Sequence, residues 1–330
     1  MPRKNLDILA IGNAIVDVIA AADDAFLEAR GLAKGAMRLI DAGEAEALYG
    51  EMGQAREISG GSAANTVAGI AALGGSAGFV GQVADDQLGR IFAHDITALG
   101  IDYATPPRNG DIPTGRCLIL VTPDGERTMN TFLGASRYLP ESAIDEEQVG
   151  SAGILYLEGY LWDAEEPRFA MIRAIEIARD AGRETAFTLS DIFCVERHRE
   201  GIAELLEKRR LDILFANEAE LAALAEEDEI EAAIAAVAPR VETLIVTRSE
   251  KGAIGIRGGE RSEVAAEPVA GVVDTTGAGD LFAAGFLHGR AQGRGLEDSL
   301  RLGAIAAGEI ISHYGARPEA DLKALVGERL

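Results

Sequence analysis

From about residue 151 onward, short apolar runs alternate with amphipathic helical stretches, and this alternation admits few folds. Ile154-Leu155-Tyr156-Leu157 is followed by a stretch with Met171, Ile172, Ile175 and Ala178 on one helical face, then by the run Thr185 to Leu189. The pattern repeats with a helix through Leu205 and Leu206, the run Leu211 to Phe215, helices between Glu218 and Val237, and Thr243-Leu244-Ile245-Val246-Thr247. Runs that are apolar at nearly every position are buried on both faces, which predicts a mostly parallel sheet with helices on either side, an α/β/α sandwich. In such sheets ligands bind beyond the carboxyl ends of the strands.

The first half is less regular. Leu6 to Ile11 reads as a buried strand, whereas Ala14 to Ala20, Met37 to Ile40, Arg116 to Val121 and Arg127 to Phe132 read as short, partly exposed strands. The last two flank Thr122-Pro123-Asp124-Gly125, a strong hairpin turn. These strands predict a small second sheet inserted at about residues 13–42 and 104–133, placed as a lid over one core domain that spans residues 1–330. Its exposed edge strands leave both a monomer and a homodimer open.

The stretch Ile58 to Ala84 carries no charge and is long enough to suggest a membrane span, but Gly60, Gly61, Gly69, Gly74, Gly75, Gly78 and Gly81 interrupt it. It reads as loop, buried helix, turn and buried strand. Arg3 and Lys4 precede an apolar stretch that resembles a leader, yet Asp7, Asn13 and Asp17 break it, and the expected location is the cytoplasm. Against 31 Lys and Arg stand 54 Asp and Glu, a formal charge of −23. A field this negative repels polyanions and so argues against nucleic-acid and anionic-membrane partners. The two cysteines, Cys117 and Cys194, exclude a disulfide framework, and the four histidines show no metal-ligand spacing. Phosphate chemistry in this chain therefore needs a local site that works against the global field.

Asp274-Thr275-Thr276-Gly277-Ala278-Gly279-Asp280, followed by the apolar helical stretch Leu281 to Leu287, is such a site. Glycines just before a helix let backbone N–H groups converge, and the helix N-terminus adds positive potential, so the turn is an anion site. Asp280 serves either as a helix cap or as a general base beside the anion hole. The pattern lacks the G-K-[ST] ending of a Walker A loop.

This turn resembles the D-T-x-G-A-G-D signature of the ribokinase-like (PfkB) family of carbohydrate and nucleoside kinases. Gly60-Gly61-Ser62-Ala63-Ala64-Asn65 is similar to the family's Gly-Gly-x-x-x-Asn motif, and Asn217-Glu218-Ala219-Glu220 to its N-x-x-E motif, in the family's order. The resemblance implies an ATP-dependent kinase for a small-molecule sugar or nucleoside. Asp280 is then the base, and Gly277, Ala278 and Gly279 form the anion hole. Asp17, Asn13 and Asn65, with Gly60 and Gly61, hold the acceptor. A carboxylate suits a vicinal diol because it accepts two hydrogen bonds. Asn217 and Glu220 also have the spacing of a capping box. The family implies that Glu220 orients Mg2+ and its waters, with Asn217 near the phosphates. Arg127, in a segment like the lid of adenosine kinases, is the candidate cation for the transferring phosphoryl group, ahead of Arg137.

Thr247-Arg248-Ser249-Glu250-Lys251-Gly252 is similar to the family's T-x-G-x-x-G nucleotide turn, with Ser249 in place of the first glycine. Thr247 and Gly252 are its candidate phosphate contacts. Adenine is expected between residues 264–268 and the small or apolar stretch Ala304 to Ile311, with Ala307 and Ile311 as contacts. A monovalent cation such as K+ near Asp274 and Thr276 is a further feature that the family implies. Ala186 to Leu189, Asp212 to Glu220 and the opening Gly12 to Asp17 look more like adenosine kinases than like ribokinase or fructokinase. Adenosine is therefore the preferred acceptor, with ribose, fructose or a non-catalytic purine-nucleotide regulator as alternatives.

Overall fold

The computed structural model describes residues 5–330, so Arg3 and Lys4 lie outside the described residues. Its strands in chain order are β1 (Ile8–Ile11), β2 (Ile15–Ala21), β3 (Met37–Leu39), β4 (Ala55–Gly60), β5 (Ala77–Val80), β6 (Asp102–Tyr103) and β7 (Thr114–Val121). There follow β8 (Arg127–Gly134), β9 (Ile154–Glu158), β10 (Glu184–Thr188), β11 (Ile213–Asn217), β12 (Thr243–Thr247), β13 (Ala253–Arg257) and β14 (Glu260–Val264). The helices are α1 (Asp24–Ala29), α2 (Ala42–Glu51), α3 (Ser62–Ala72), α4 (Gln87–Ala98), α5 (Glu146–Ser151) and α6 (Glu165–Asp180). They continue with α7 (Ile192–Glu207), α8 (Glu218–Ala225), α9 (Ile230–Val237), α10 (Ala278–Ala291), α11 (Leu296–Ile310) and α12 (Leu322–Arg329).

Nine strands form the large sheet in the order β14-β13-β12-β11-β10-β9-β1-β5-β6. From β12 to β6 every pairing is parallel, and β13 and β14 add an antiparallel edge. Successive strand residues point to opposite faces, and both faces are apolar. Along β11, Ile213 and Phe215 join one core cluster, while Leu214 and Ala216 join the other. The first cluster is closed by Val67 of α3, Leu281 and Phe286 of α10 and Leu300 of α11. Met171 and Ile175 of α6, Leu205 of α7 and Leu221 of α8 close the second. The result is the expected three-layer α/β/α arrangement.

The second sheet has five strands in the order β3-β8-β7-β2-β4. Its two faces differ in their surroundings. Val16, Val18, Leu118 and Leu120 belong to the main core, whereas Ile15, Cys117 and Ile119, with Met129 against them, form a separate small cluster on the opposite face. Asp17 shares that second face, two residues from Ile15 and paired in register with Cys117. Strand β4 enlarges the small sheet beyond its four expected strands. Arg56 and Glu57 are exposed or half-exposed on this edge strand, and their charges hide it from an apolar-run reading. The expected turn at Thr122–Gly125 joins β7 to β8, with Gly125 donating to the Thr122 carbonyl at 2.8 Å and taking φ +88°. Among the described residues, no helix is long and apolar enough to cross a membrane.

Candidate active site

A cavity of about 620 Å³ lies at the carboxyl ends of the large-sheet strands. Asn13 after β1, Glu158 ending β9, Thr188 ending β10, Asn217 ending β11 and Thr247 ending β12 all line it, where a parallel sheet is expected to bind ligands. The second face of the small sheet supplies another wall through Ile15, Asp17, Cys117, Ile119, Met129 and Leu133. Gly61, Asn65, Glu220 and Thr276 to Asp280 complete the predicted residues that meet there. Gly60, Arg127, Gly252, Asp274, Ala307 and Ile311 do not line this cavity.

Asp280 stands in the first turn of α10. Its Oδ1 accepts from Ser62 Oγ at 2.6 Å and its Oδ2 from Asn65 Nδ2 at 2.9 Å. Burial holds the carboxyl above its ordinary pKa, against the pull of those two bonds and of Arg317. Gly277 takes φ +79°, the left-handed conformation that suits glycine, and a Cβ there would lie 2.8 Å from that of Ala316. Ala278 N donates to the Thr275 carbonyl at 3.2 Å. The N–H groups of Gly279 and Asp280 precede the first intrahelical bond and have no other acceptor among the described residues. They are free to meet an anion, beside a carboxylate fixed by two donors.

Asp17 is 8% exposed, and among the described residues its carboxylate accepts no hydrogen bond. Desolvation lifts its pKa to about 6, against the opposing pull of Arg317 and Arg127. Gly60 explains its place in the motif here: a Cβ at residue 60 would fall 2.4 Å from the Asp17 carboxyl carbon. Gly61, at φ +103°, brings the chain so close to Asn13 that a Cβ would sit 2.2 Å from that residue's carbonyl oxygen. Asn13 itself is committed elsewhere. Its N and Nδ2 donate to Glu158 Oε1 at 2.7 and 2.6 Å, and its Oδ1 accepts from Ser136 Oγ at 2.8 Å.

The capping box at Asn217 and Glu220 is formed in full. Asn217 N and Nδ2 donate to the two Glu220 carboxylate oxygens at 2.9 and 2.7 Å, and Glu220 N donates to Asn217 Oδ1 at 2.8 Å. Burial raises the Glu220 pKa to about 7. Among the described residues, no three acidic, histidine or cysteine groups converge to hold a metal ion directly.

Two expectations meet and displace each other at Asp274. Arg127, expected to face the phosphates, instead places Nε 3.0 Å from Asp274 Oδ2, with both side chains 6% exposed. Asp274 also accepts from Thr276 N at 3.0 Å and Gly315 N at 2.9 Å. A buried charge without a partner costs several kcal/mol, so guanidinium and carboxylate are driven together. The carboxylate assigned to a monovalent cation is thus paired here with a cation of the chain itself. Arg127 Nη2 is buried without an acceptor, and its guanidinium stands 5.8 Å from the Tyr314 ring.

The nucleotide residues are only partly assembled. Thr247 pairs with Asn217 in register at the strand ends. Gly252, at φ +84°, lets the chain pass so near Val264 that a Cβ would lie 2.0 Å from its carbonyl oxygen. Ser249 adopts φ +51° where the family has glycine. Segment 264–268 approaches α11, since a Cβ at Gly308 would meet Glu267 Cβ at 2.7 Å, and Ala307 and Ile311 on the same stretch are partly exposed. The Ile311 carbonyl accepts from Val273 N at 2.8 Å. Arg137 sits in a short 3-10 turn after β8 and does not line the cavity.

Sequence reasoning missed Glu158, Ser62, Arg317 and the apolar wall. Glu158, fully buried, binds Asn13 and also accepts from Ala63 N at 2.7 Å, and burial lifts its pKa to about 7. Its signal was present: an acid directly after the apolar run 154–157, at the strand end where ligands bind. Cys117 and Cys194 are buried thiols pushed up to about 12, which removes them as nucleophiles.

Comparison with known proteins bears on the fold and the family. An adenosine kinase structure from Sinorhizobium meliloti is 49% identical, with a TM-score of 0.92 over 99% of this chain and 100% of that one. A probable sugar kinase from Rhizobium etli is 47% identical, also with a TM-score of 0.92, over 99% of both chains. Among characterised sequences, a Klebsiella pneumoniae fructokinase is 29% identical over 252 residues, 75% of this chain and 81% of that protein. The model of the pfkB family of carbohydrate kinases matches residues 7–322. With a fixed carboxylate beside free N–H groups, and a family match over nearly its whole length, the chain belongs to the PfkB family of kinases.

Proposed function

We propose that this kinase transfers the γ-phosphoryl group of ATP to the primary hydroxyl of a nucleoside, with adenosine the best-supported acceptor and AMP and ADP the products. The carrying observation is that Asp17, free of hydrogen bonds among the described residues, and Asp280, fixed by Ser62 and Asn65, open into one cavity with an apolar wall. Asp17 accepts the two ribose hydroxyls. Ile15, Cys117, Ile119, Met129 and Leu133, with exposed Met37, Leu39 and Phe193, offer apolar area to a flat base. A free hexose is smaller than a nucleoside and covers less of that area.

Asp280 removes the proton from the 5′-hydroxyl as the alcohol oxygen attacks phosphorus in line. The bond to the departing ADP oxygen breaks, and the proton remains on Asp280. A pKa raised by burial makes Asp280 a stronger base than an exposed aspartate. The N–H groups of Gly279 and Asp280 stabilise the transferring group's charge. Arg127 adds to this when it exchanges Asp274 for phosphate, which its unpaired Nη2 favours. Bound Mg2+ would supply positive charge to offset that of the phosphates. Glu220 would hold it through water, since both carboxylate oxygens already accept from Asn217. The small sheet acts as a lid that keeps water from competing as acceptor.

The sugar-kinase relatives favour a second reading, with ribose or fructose as acceptor. A regulator that binds purine nucleotides without catalysis is disfavoured by the intact base and anion turn. The test offers adenosine, guanosine, ribose and fructose side by side with ATP and Mg2+ and measures ADP release. Turnover with adenosine is expected; turnover with fructose and none with adenosine would overturn the preference.

A further inference from the structure

The turn from Ser59 to Asn65 touches three carboxylates of the site. Gly60 lies against Asp17, Ser62 and Asn65 hold Asp280, and Ala63 N donates to Glu158. The same turn is gripped at both ends by one side chain from a distant part of the chain. Arg317, in the loop between α11 and α12, donates from Nη1 to the Ala64 carbonyl at 2.8 Å and from Nη2 to Ser59 Oγ at 3.0 Å and to the Ser59 carbonyl. Ser59 is anchored from the other side, its N and Oγ donating to Asp95 Oδ2 at 2.8 and 2.5 Å. The Arg317 hydrogen bonds go to carbonyls and a hydroxyl, none to a carboxylate, and Nε is buried without an acceptor.

We propose that Arg317 is a positioning residue for phosphotransfer, clamping Ser59 and Ala64 so that the turn between them sets Asp17 against the acceptor and Asp280 against its hydroxyl. Lysine cannot replace it in full, because one ammonium lacks the planar fork that reaches two carbonyls at once. The second contribution is charge. Arg317 faces Asp17 on β2, Asp280 on α10 and Asp95 on α4, and it is the cation that most favours the ionised form of Asp17. Arg127 and Cys117 also face Asp17, while Tyr156, Glu158 and Tyr160 feel Asp280, so Arg317 acts among mostly acidic neighbours.

The inference rests on the kinase reading in which Asp280 is the base and Asp17 the acceptor ligand, and its test separates the two. Arg317→Gln and Arg317→Lys are compared with the unaltered protein in carboxyl-carbon NMR titrations without substrate, the signals assigned through Asp17→Asn and Asp280→Asn. Arg317→Gln should move the Asp17 midpoint up by about one pH unit, the scale of a single nearby charge, while Arg317→Lys leaves it near the original value. On the acceptor the unaltered enzyme uses, Arg317→Lys should raise acceptor KM by about tenfold or more and lower kcat, with ATP KM unchanged, since misplacement of about 1 Å costs up to about 10²-fold. Unmoved titrations in Arg317→Gln, or lowered thermal stability in Arg317→Lys with unchanged kcat and KM, would overturn the role. Should Arg317→Gln not fold, the lysine variant's KM and kcat decide the matter. Failure of the unaltered enzyme to phosphorylate any acceptor would instead refute the kinase reading.

Discussion

Asparagine at position 280 separates chemistry from architecture because the two hydrogen bonds of Asp280 tolerate the exchange. Asn65 Nδ2 donates at 2.9 Å and can continue to donate to the new amide oxygen. Ser62 Oγ, now a donor at 2.6 Å, can rotate its hydrogen away and accept from the new amide N–H. Both contacts survive, and a carboxylate whose ionisation burial disfavours is replaced by a neutral group. Asp280→Asn should therefore fold with a melting temperature no lower than that of the parent at neutral pH. What it loses is the lone pair that takes the hydroxyl proton. General-base catalysis contributes about 10²–10⁴-fold, or roughly 3–5 kcal/mol of barrier. Initial rates of ADP release should fall by at least about 10²-fold, while calorimetric affinities for ATP and acceptor stay within about threefold, less than 1 kcal/mol. Turnover within tenfold of the parent would refute the assignment of Asp280 as base, and loss of binding would refute the hydrogen-bond reasoning.

Further outcomes follow from single contacts. Gly60→Ala places a methyl 2.4–2.6 Å from the carboxyl atoms of Asp17, so acceptor KM should rise by about tenfold or more with ATP KM unchanged; an unchanged acceptor KM contradicts the role of Asp17. With the Asp17 pKa raised from 3.8 to about 6, acceptor kcat/KM should fall as pH drops through about 6. The same raised value means that Asp17's contribution to stability is full below about pH 4 and lost as pH rises through about 6. Asp17→Asn should then stabilise the fold at pH 8, by on the order of 2–3 kcal/mol, more than at pH 4; denaturant melts giving the same difference at both pH values would exclude this. Ser249→Gly relieves a left-handed serine at φ +51° and should add about 0.5–1 kcal/mol after the entropy of a freer unfolded chain is subtracted; a lower denaturation midpoint would show that the serine side chain compensates.

The large sheet was legible because each of its parallel strands after residue 151 contains an uncharged run, 154–157, 185–188, 213–217 or 243–247, and burial on both faces explains such runs. Strand β4 was not, since an edge strand keeps Arg56 and Glu57 in water and looks like loop. Within the site, residues in short motifs were found: Asp280, Asn65, Asn217 and Glu220 all reach the cavity. Partnerships across the chain were invisible. Arg127 and Asp274 lie far apart in sequence, and nothing local says that each neutralises the other. Arg317 is a lone arginine in a loop, indistinguishable in sequence from the solvated kind, and only the fold brings it to Ser59 and Ala64. Spacing reveals chemistry that one turn of chain can build; it is silent where two remote segments build it together.

The loop that follows α11 places Gly315 on Asp274 and Arg317 on the turn beside Asp17. Synthesis proceeds from the N-terminus at about 5–20 residues per second, so Arg317 leaves the ribosome 253 residues after the Ala64 that it holds. A nascent chain that has not yet reached Gly315 carries Asp274 and the turn beside Asp17 without these contacts. The turn between Ser59 and Ala64 therefore waits for a much later segment before its hydrogen bonds are complete.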